Sequence, residues 1–190
     1  MKIQSAEFLK ALVDRDEILE NGIPQVAFIG RSNVGKSSVI NLIAQKKELA
    51  RSSPTPGHTR TINVYYINKE FYLVDLPGYG YAKGSWQDRE KIKTLIEWYL
   101  IGTGIEQKLV VVIIDANVGV TEIDDQILSQ LEQASKKVVV LANKIDKIKK
   151  SEYAKKMKQL TEIVSPHKVI PFSVTKRIGL TELTQEITQK

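Results

Sequence analysis

At 190 residues, with 42% hydrophobic and 26% charged residues, the chain has the composition of one ordinary globular domain with a sheet-based core, not of a disordered or fibrous protein. It contains no cysteine, which excludes disulfides, thiolate metal sites, cysteine nucleophiles and cysteine-linked lipid anchors. The formal charge of +6 favours polyanionic partners without naming one, and the longest apolar run, residues 109–114, is far short of the roughly 20 residues that span a bilayer.

In chain order, residues 1–23 lack a distinctive pattern and read as an N-terminal extension packed on a domain of residues 24–190. Without a signal-type hydrophobic segment at its start, the chain is expected in the cytoplasm. Residues 25–30 form an apolar run ending in glycine, and residues 36–44 have helical patterning, giving strand, loop, helix. Residues 61–67 and 70–76 are β-rich and separated by Asn68-Lys69, a turn-prone pair that predicts an antiparallel hairpin. Ser85 suits an N-cap, and Ile92, Leu95, Ile96, Tyr99 and Leu100 recur at helical spacing, predicting an amphipathic helix over residues 86–101.

Residues 109–114 read as a buried strand, Thr121-x-x-Asp124 opens a helix as a capping-box variant, and residues 137–142 form another strand. Ser151 suits the cap of a helix running to about residue 164; a strand at residues 168–172 and a terminal helix at residues 179–189 follow. Such alternation predicts an α/β fold, a mostly parallel sheet covered on both faces with ligands at the carboxyl ends of its strands.

The first loop at such an end reads Gly30-Arg31-Ser32-Asn33-Val34-Gly35-Lys36-Ser37, the phosphate-loop signature between a strand and a helix. Its glycines let backbone N–H groups and the helix N-terminus face phosphates. Lys36 is positioned to neutralise the β- and γ-phosphates, and the Ser37 hydroxyl suits magnesium, a hard cation that takes oxygen ligands. This loop indicates a nucleotide but not which one, since small-molecule kinases and ATPases share it.

The base is read elsewhere. Asn143-Lys144-Ile145-Asp146 follows a strand and matches N-K-x-D. A carboxylate at Asp146 can accept two N–H bonds from the edge of guanine, which adenine does not offer in that arrangement. Asp75-Leu76-Pro77-Gly78 ends the second hairpin strand and matches D-x-x-G, placing Asp75 to hold magnesium through water and the Gly78 N–H to sense a γ-phosphate. Upstream, the loop Gly57-His58-Thr59-Arg60-Thr61 is where a threonine that ligates magnesium only beside GTP is expected. Thr59 is chosen for that role, with Thr61 beginning the strand. Phe172-Ser173-Val174 closes the last strand, where its backbone N–H groups can support the base.

With these residues in place, the chain resembles the bacterial EngB (YihA/YsxC) family of ribosome-biogenesis GTPases, within the translation-factor-related class. The resemblance rests on Val26-Ala27-Phe28 leading into residues 30–37 and Ser38, on Ser53-Pro54-Thr55-Pro56-Gly57-His58-Thr59, and on Asp75-Leu76-Pro77-Gly78-Tyr79-Gly80-Tyr81-Ala82. It implies a Ras-like P-loop GTPase domain, three α/β/α layers around a six-stranded, mostly parallel sheet with one antiparallel edge strand. It also implies GTP or GDP and Mg2+ as ligands and a role in assembly of the large ribosomal subunit or its precursor, linked to normal cell division. Catalytic roles are expected of Lys36, Thr59 and Gly78, and the chain is expected to be a monomer that engages neither membrane nor DNA. Two positions depart from the family pattern: Asn143 stands where threonine is usual, and His58 where lysine is usual.

Tyr79 follows Gly78 where many GTPases carry a glutamine that orients the attacking water, so slow intrinsic hydrolysis is expected. Asn33 raises potassium (K+) as a source of positive charge, beside its reading as a structural loop residue. Lys144, Lys147, Lys149, Lys150, Lys155, Lys156 and Lys158 form a basic stretch that suits ribosomal RNA or simply a solvated face. Three classes therefore stay open: a GTP-hydrolysing switch, a GTP-dependent binding module with negligible hydrolysis, and a P-loop kinase, the last disfavoured by the base-reading motif.

Overall fold

The computed structural model describes residues 3–50, 61–80, 86–102 and 104–189. Strands covered on both faces need near-continuous apolar runs, and the central ones have them. β2 (Gln25–Gly30) is buried along its whole length, β5 (Gln107–Asp115) reads QKLVVVIID and β6 (Val138–Asn143) reads VVVLAN. With β1 (Ala6–Leu12), β3 (Ile62–Ile67), β4 (Phe71–Asp75) and β7 (Lys168–Pro171) they form one seven-stranded sheet of order β1-β3-β4-β2-β5-β6-β7. Pairing is parallel from β4 through β2, β5 and β6 to β7 and antiparallel at β1–β3 and β3–β4, so β3 alone runs against the rest.

The sheet thus has one strand more than the six implied by resemblance. The seventh, β1, comes from the stretch read as an N-terminal extension, and it moves the reversed strand β3 one place in from the edge. β1 buries only its end residues, so it carries no alternation for a sequence reading to find. It is held by its neighbours: the Phe8 ring meets Tyr65 edge-on at 5.7 Å, and the Asn68 side chain accepts from the N–H groups of Gln4 and Ser5 at 2.7 and 3.0 Å. Asn68 and Lys69 both take left-handed φ, 52° and 56°, the backbone that lets a two-residue turn follow the twist of its strands.

Five helices cover the described sheet: α1 (Lys36–Ile43), α2 (Trp86–Ile101), α3 (Glu122–Gln133), α4 (Lys150–Ile163) and α5 (Leu180–Thr188). One face buries Leu95, Ile96 and Tyr99 of α2, Leu128 and Leu131 of α3 and Leu160 of α4. The other buries Val39, Ile40 and Ile43 of α1 with Leu183 and Ile187 of α5. These are the three layers expected. α2 begins at Trp86; its expected cap, Ser85, lies outside the described residues.

The start of α4 differs from expectation. Lys149, in extended conformation, is the N-cap, and its carbonyl accepts from Glu152 N–H and Tyr153 N–H at 2.9 and 3.1 Å. Ser151 therefore lies inside the first turn rather than capping it.

Candidate functional site

The phosphate loop connects the end of β2 to α1. Gly35, the N-cap of α1, has φ +96°, and a Cβ there would lie 2.6 Å from Asn143 Nδ2. Both the left-handed backbone and the close approach require glycine. Val34 is buried and anchors the loop, whereas Asn33 is exposed with φ 67°. The first turn of α1 carries no acidic residue and no side-chain cap, leaving its positive end open toward the loop. Ser37 is half-buried and Ser38 exposed in that turn.

Lys36 Nζ donates to Asp75 Oδ1, and both side chains are buried, at 9% and 3% exposure. The same carboxylate, second to burial, raises the titration of the Tyr65 hydroxyl. Beyond Asp75 the chain runs on beside the phosphate loop: Leu76 N–H donates to the Phe28 carbonyl at 3.0 Å, Tyr79 N–H to the Gly30 carbonyl at 3.3 Å, and Ser32 N–H to the Tyr79 carbonyl at 3.0 Å. Pro77 is buried within this run. A Cβ at Gly78 would sit 3.1 Å from Ser32 Oγ and 3.3 Å from Ser32 N, so the D-x-x-G segment lies directly on the phosphate loop.

The base-reading segment is tied to the same loop. Asn143, 2% exposed, donates from Nδ2 to the Val34 carbonyl at 2.8 Å, and its buried Oδ1 has no hydrogen-bond partner among the described residues. Lys144, at φ 65°, reaches the Asn33 carbonyl at 2.6 Å and Asp115 Oδ2 at 2.8 Å. Ile145 is buried and donates its N–H to the Phe172 carbonyl at 3.2 Å. Asp146 is exposed, and its Oδ1 accepts from Ser173 Oγ at 2.5 Å. That hydroxyl, more than any other neighbour, holds the Asp146 carboxyl below the usual carboxylate range.

The structure thus brings residues 30–38, 75–78, 143–146 and 172–174 to one edge of the sheet. Ser173 contributes in an unforeseen way. Its backbone N–H is donated to the Ile178 carbonyl at 3.2 Å, and its buried hydroxyl instead orients Asp146. Asp115 was not singled out from sequence, although a lone acid closing an apolar strand at the carboxyl edge was a signal. Gly57, His58, Thr59 and Arg60 lie outside the described residues. Thr61 is half-buried just before β3, with Oγ1 donating to Asn63 Oδ1 at 3.2 Å.

Among the described residues no group of three or more His, Cys, Asp or Glu side chains stands ready to hold a metal ion. Ser37 and Asp75 fit magnesium in donor chemistry, as hydroxyl and carboxylate oxygens beside the Lys36 cation. An ion there would take its other ligands from water and phosphate, as magnesium commonly does.

A family profile described as "50S ribosome-binding GTPase" matches residues 25–144. A "Probable GTP-binding protein EngB" from Clostridium perfringens (strain 13 / Type A) is 42% identical over 186 residues, 96% of this chain and 94% of the relative. The chain belongs to the EngB family of P-loop GTPases. Among solved structures, a probable GTP-binding protein EngB superposes with TM-score 0.71 at 25% identity, covering 86% of this chain and 96% of the other. An Era structure in complex with MgGDPNP and nucleotides 1506–1542 of 16S ribosomal RNA superposes with TM-score 0.65 at 26% identity, covering 86% of this chain and 55% of that one. In this EngB-family chain, the N-K-x-D segment and the glycine loop lie side by side, joined by the bonds of Asn143 and Lys144 to the Val34 and Asn33 carbonyls. No helix among the described residues is long and apolar enough to cross a membrane.

Proposed function

We propose that this chain binds GTP and GDP with magnesium, hydrolyses GTP slowly, and acts in the cytoplasm as a switch in assembly of the large ribosomal subunit, on which normal cell division depends. The observation that carries the guanine reading is the direct link between the two half-sites, Asn143 to the Val34 carbonyl and Lys144 to the Asn33 carbonyl. These bonds hold the phosphate cradle and the Asp146 carboxylate in one geometry, a preorganisation that favours a ligand filling both. When bound, magnesium supplies positive charge at the β- and γ-phosphates. Lys36 binds phosphate, Gly78 senses the terminal one, and Thr59 completes the GTP-bound arrangement.

Slow hydrolysis follows from Tyr79. The hydroxyl of this residue is given to Asp124 at 2.6 Å in a buried site, so it does not orient water as a glutamine would. The same observation favours the second reading, a GTP-dependent binding module with negligible turnover. Single-turnover hydrolysis separates the two: a switch gives about 10⁻⁴ to 10⁻² per second alone and accelerates with ribosomal particles, whereas a module stays flat.

The ribosomal partner is supported by the family profile's description and by exposed Lys147, Lys149, Lys150, Lys155 and Lys158 on and before α4; Lys156 is bonded to Asn117. Co-sedimentation with purified large subunits, using a non-hydrolysable GTP analogue, GDP or no nucleotide, tests it. Binding favoured by the analogue and weakened by salt supports a GTP-on switch contacting RNA phosphates. Equal absence in all three states rejects the ribosomal partner.

A further inference from the structure

The residue after D-x-x-G is buried, and its side-chain partner lies on a different element. Tyr79 is clamped by its backbone to Gly30 and Ser32 on the phosphate loop. Its ring is buried, and its hydroxyl donates to Asp124 Oδ1 at 2.6 Å. Asp124, 1% exposed, sits in the first turn of α3, where its Oδ2 accepts from Thr121 N–H at 2.8 Å and Thr121 Oγ1 at 2.7 Å. Burial first, then the Asp124 charge, push the Tyr79 hydroxyl well above its ordinary titration range, so it stays a donor.

A Cβ on Gly80 would lie 3.5 Å from Arg31 Nε and 3.8 Å from Ile123 Cδ1, so the phosphate loop and α3 flank the chain just past Tyr79. Asp124 is a buried carboxylate stabilised by three donors, one of them Tyr79, and such a charge resists losing any of them. The position of Gly78, one residue before Tyr79 and in contact with Ser32, is therefore fixed from the far side by α3.

We propose that Asp124 is a positioning residue for nucleotide discrimination: through Tyr79 it holds the Gly78 N–H against the phosphate loop, where a terminal phosphate is read. This rests on the GTP-switch reading above. The bond to Asp124 favours the arrangement that recognises GTP and leaves GDP binding nearly untouched, because GDP has no group for Gly78 to meet. It also makes the α3 N-terminus the element through which a partner on that face would sense or bias the nucleotide state.

The test uses the full chain as wild type, Tyr79→Phe, Asp124→Asn and the double variant, with dissociation constants for GDP and a non-hydrolysable GTP analogue measured in magnesium buffer. Tyr79→Phe keeps the ring and removes only the hydroxyl. The expected result is a GTP-analogue affinity lowered about fivefold or more relative to GDP, in the range of ordinary coupling between sites. The double variant should show no larger change in that ratio than Tyr79→Phe alone, as two members of one bond require. A merely structural role would lower melting temperature and shift both affinities alike. That outcome, an unchanged ratio, or tighter analogue binding would each overturn the proposal. Failure of the wild-type chain to bind either nucleotide would overturn the switch reading itself, a result distinct from equal shifts in the variants.

Discussion

Gly35→Ala is a substitution whose cost can be worked from the site's geometry. An alanine at φ +96° adopts a left-handed backbone, at about 1–2 kcal/mol. Its Cβ, placed 2.6 Å from Asn143 Nδ2, then forces the amide away from the Val34 carbonyl. Losing that buried hydrogen bond costs about 1–3 kcal/mol more, because both groups are left without water. The total is about 3–4 kcal/mol near the middle of the two ranges, and at about 2–4 °C per kcal/mol for a chain of this size the melting temperature should fall by about 6–16 °C. Gly22→Ala is the control, with φ +80° and no atom of the described residues within 4 Å of an added Cβ. It carries the backbone term alone and should lose about 2–8 °C. Differential scanning fluorimetry of both variants, with GDP titration, measures the difference. Gly35→Ala should also weaken GDP, since Asn143 joins the base-reading loop to the phosphate loop. A Gly35→Ala variant as stable as Gly22→Ala, with wild-type GDP affinity, would refute the close contact and the link built on it.

Ser173→Ala removes the hydroxyl that lowers the Asp146 titration. A depressed carboxyl contributes stability above its unfolded value of about 3.9 and loses it as pH falls through the lower folded value. The stability gap between wild type and Ser173→Ala, read from melts, should thus be the same at about pH 7 and pH 5 and shrink below about pH 3.9; a gap that grows on acidification contradicts it. Asn33 is exposed and left-handed in the phosphate loop, which leaves both its readings open, a potassium contact or a structural loop residue. A potassium contact predicts faster hydrolysis in potassium than in sodium buffer at equal ionic strength, and equal rates would remove the idea.

What sequence made legible was whatever is local in the chain. The phosphate loop and the base-reading segment are contiguous words at strand ends, and the bounds of α2 follow from the spacing of Ile92, Leu95, Ile96 and Tyr99. Partners set by sheet register were not legible. Asp115 stands directly opposite Asn143 in the β5–β6 pairing, which is why it can hold Lys144, but nothing in its own neighbourhood of the chain shows that pairing. Asp124 was visible as half of a capping box; its second oxygen's bond to Tyr79, 45 positions away, was not. β1 escaped because an edge strand with Glu7, Phe8, Leu9 and Lys10 all exposed has no hydrophobic face, and Ser151 misled because a backbone carbonyl, not its hydroxyl, opens α4.

The Lys36–Asp75 pair sets the energetics of loading the site. Lys36 cannot serve a phosphate and Asp75 equally, and removing one member of a buried pair costs about 3–5 kcal/mol when the other is left alone. A phosphate that draws Lys36 away therefore leaves on Asp75, 2% exposed, a charge that needs a new cation. Its oxygen donors suit a hard one, and thermodynamic reciprocity then requires that nucleotide and magnesium strengthen each other's binding. In wild type, chelating magnesium should weaken GDP about tenfold or more, a penalty of at least about 1.4 kcal/mol. Asp75→Asn removes the stranded charge, so most of that sensitivity to chelator should vanish while GDP still binds. Isothermal titration of both proteins with and without EDTA measures this. Equal chelator sensitivity in wild type and Asp75→Asn would show that the cation does not answer to Asp75, and the exchange argument would fall with it.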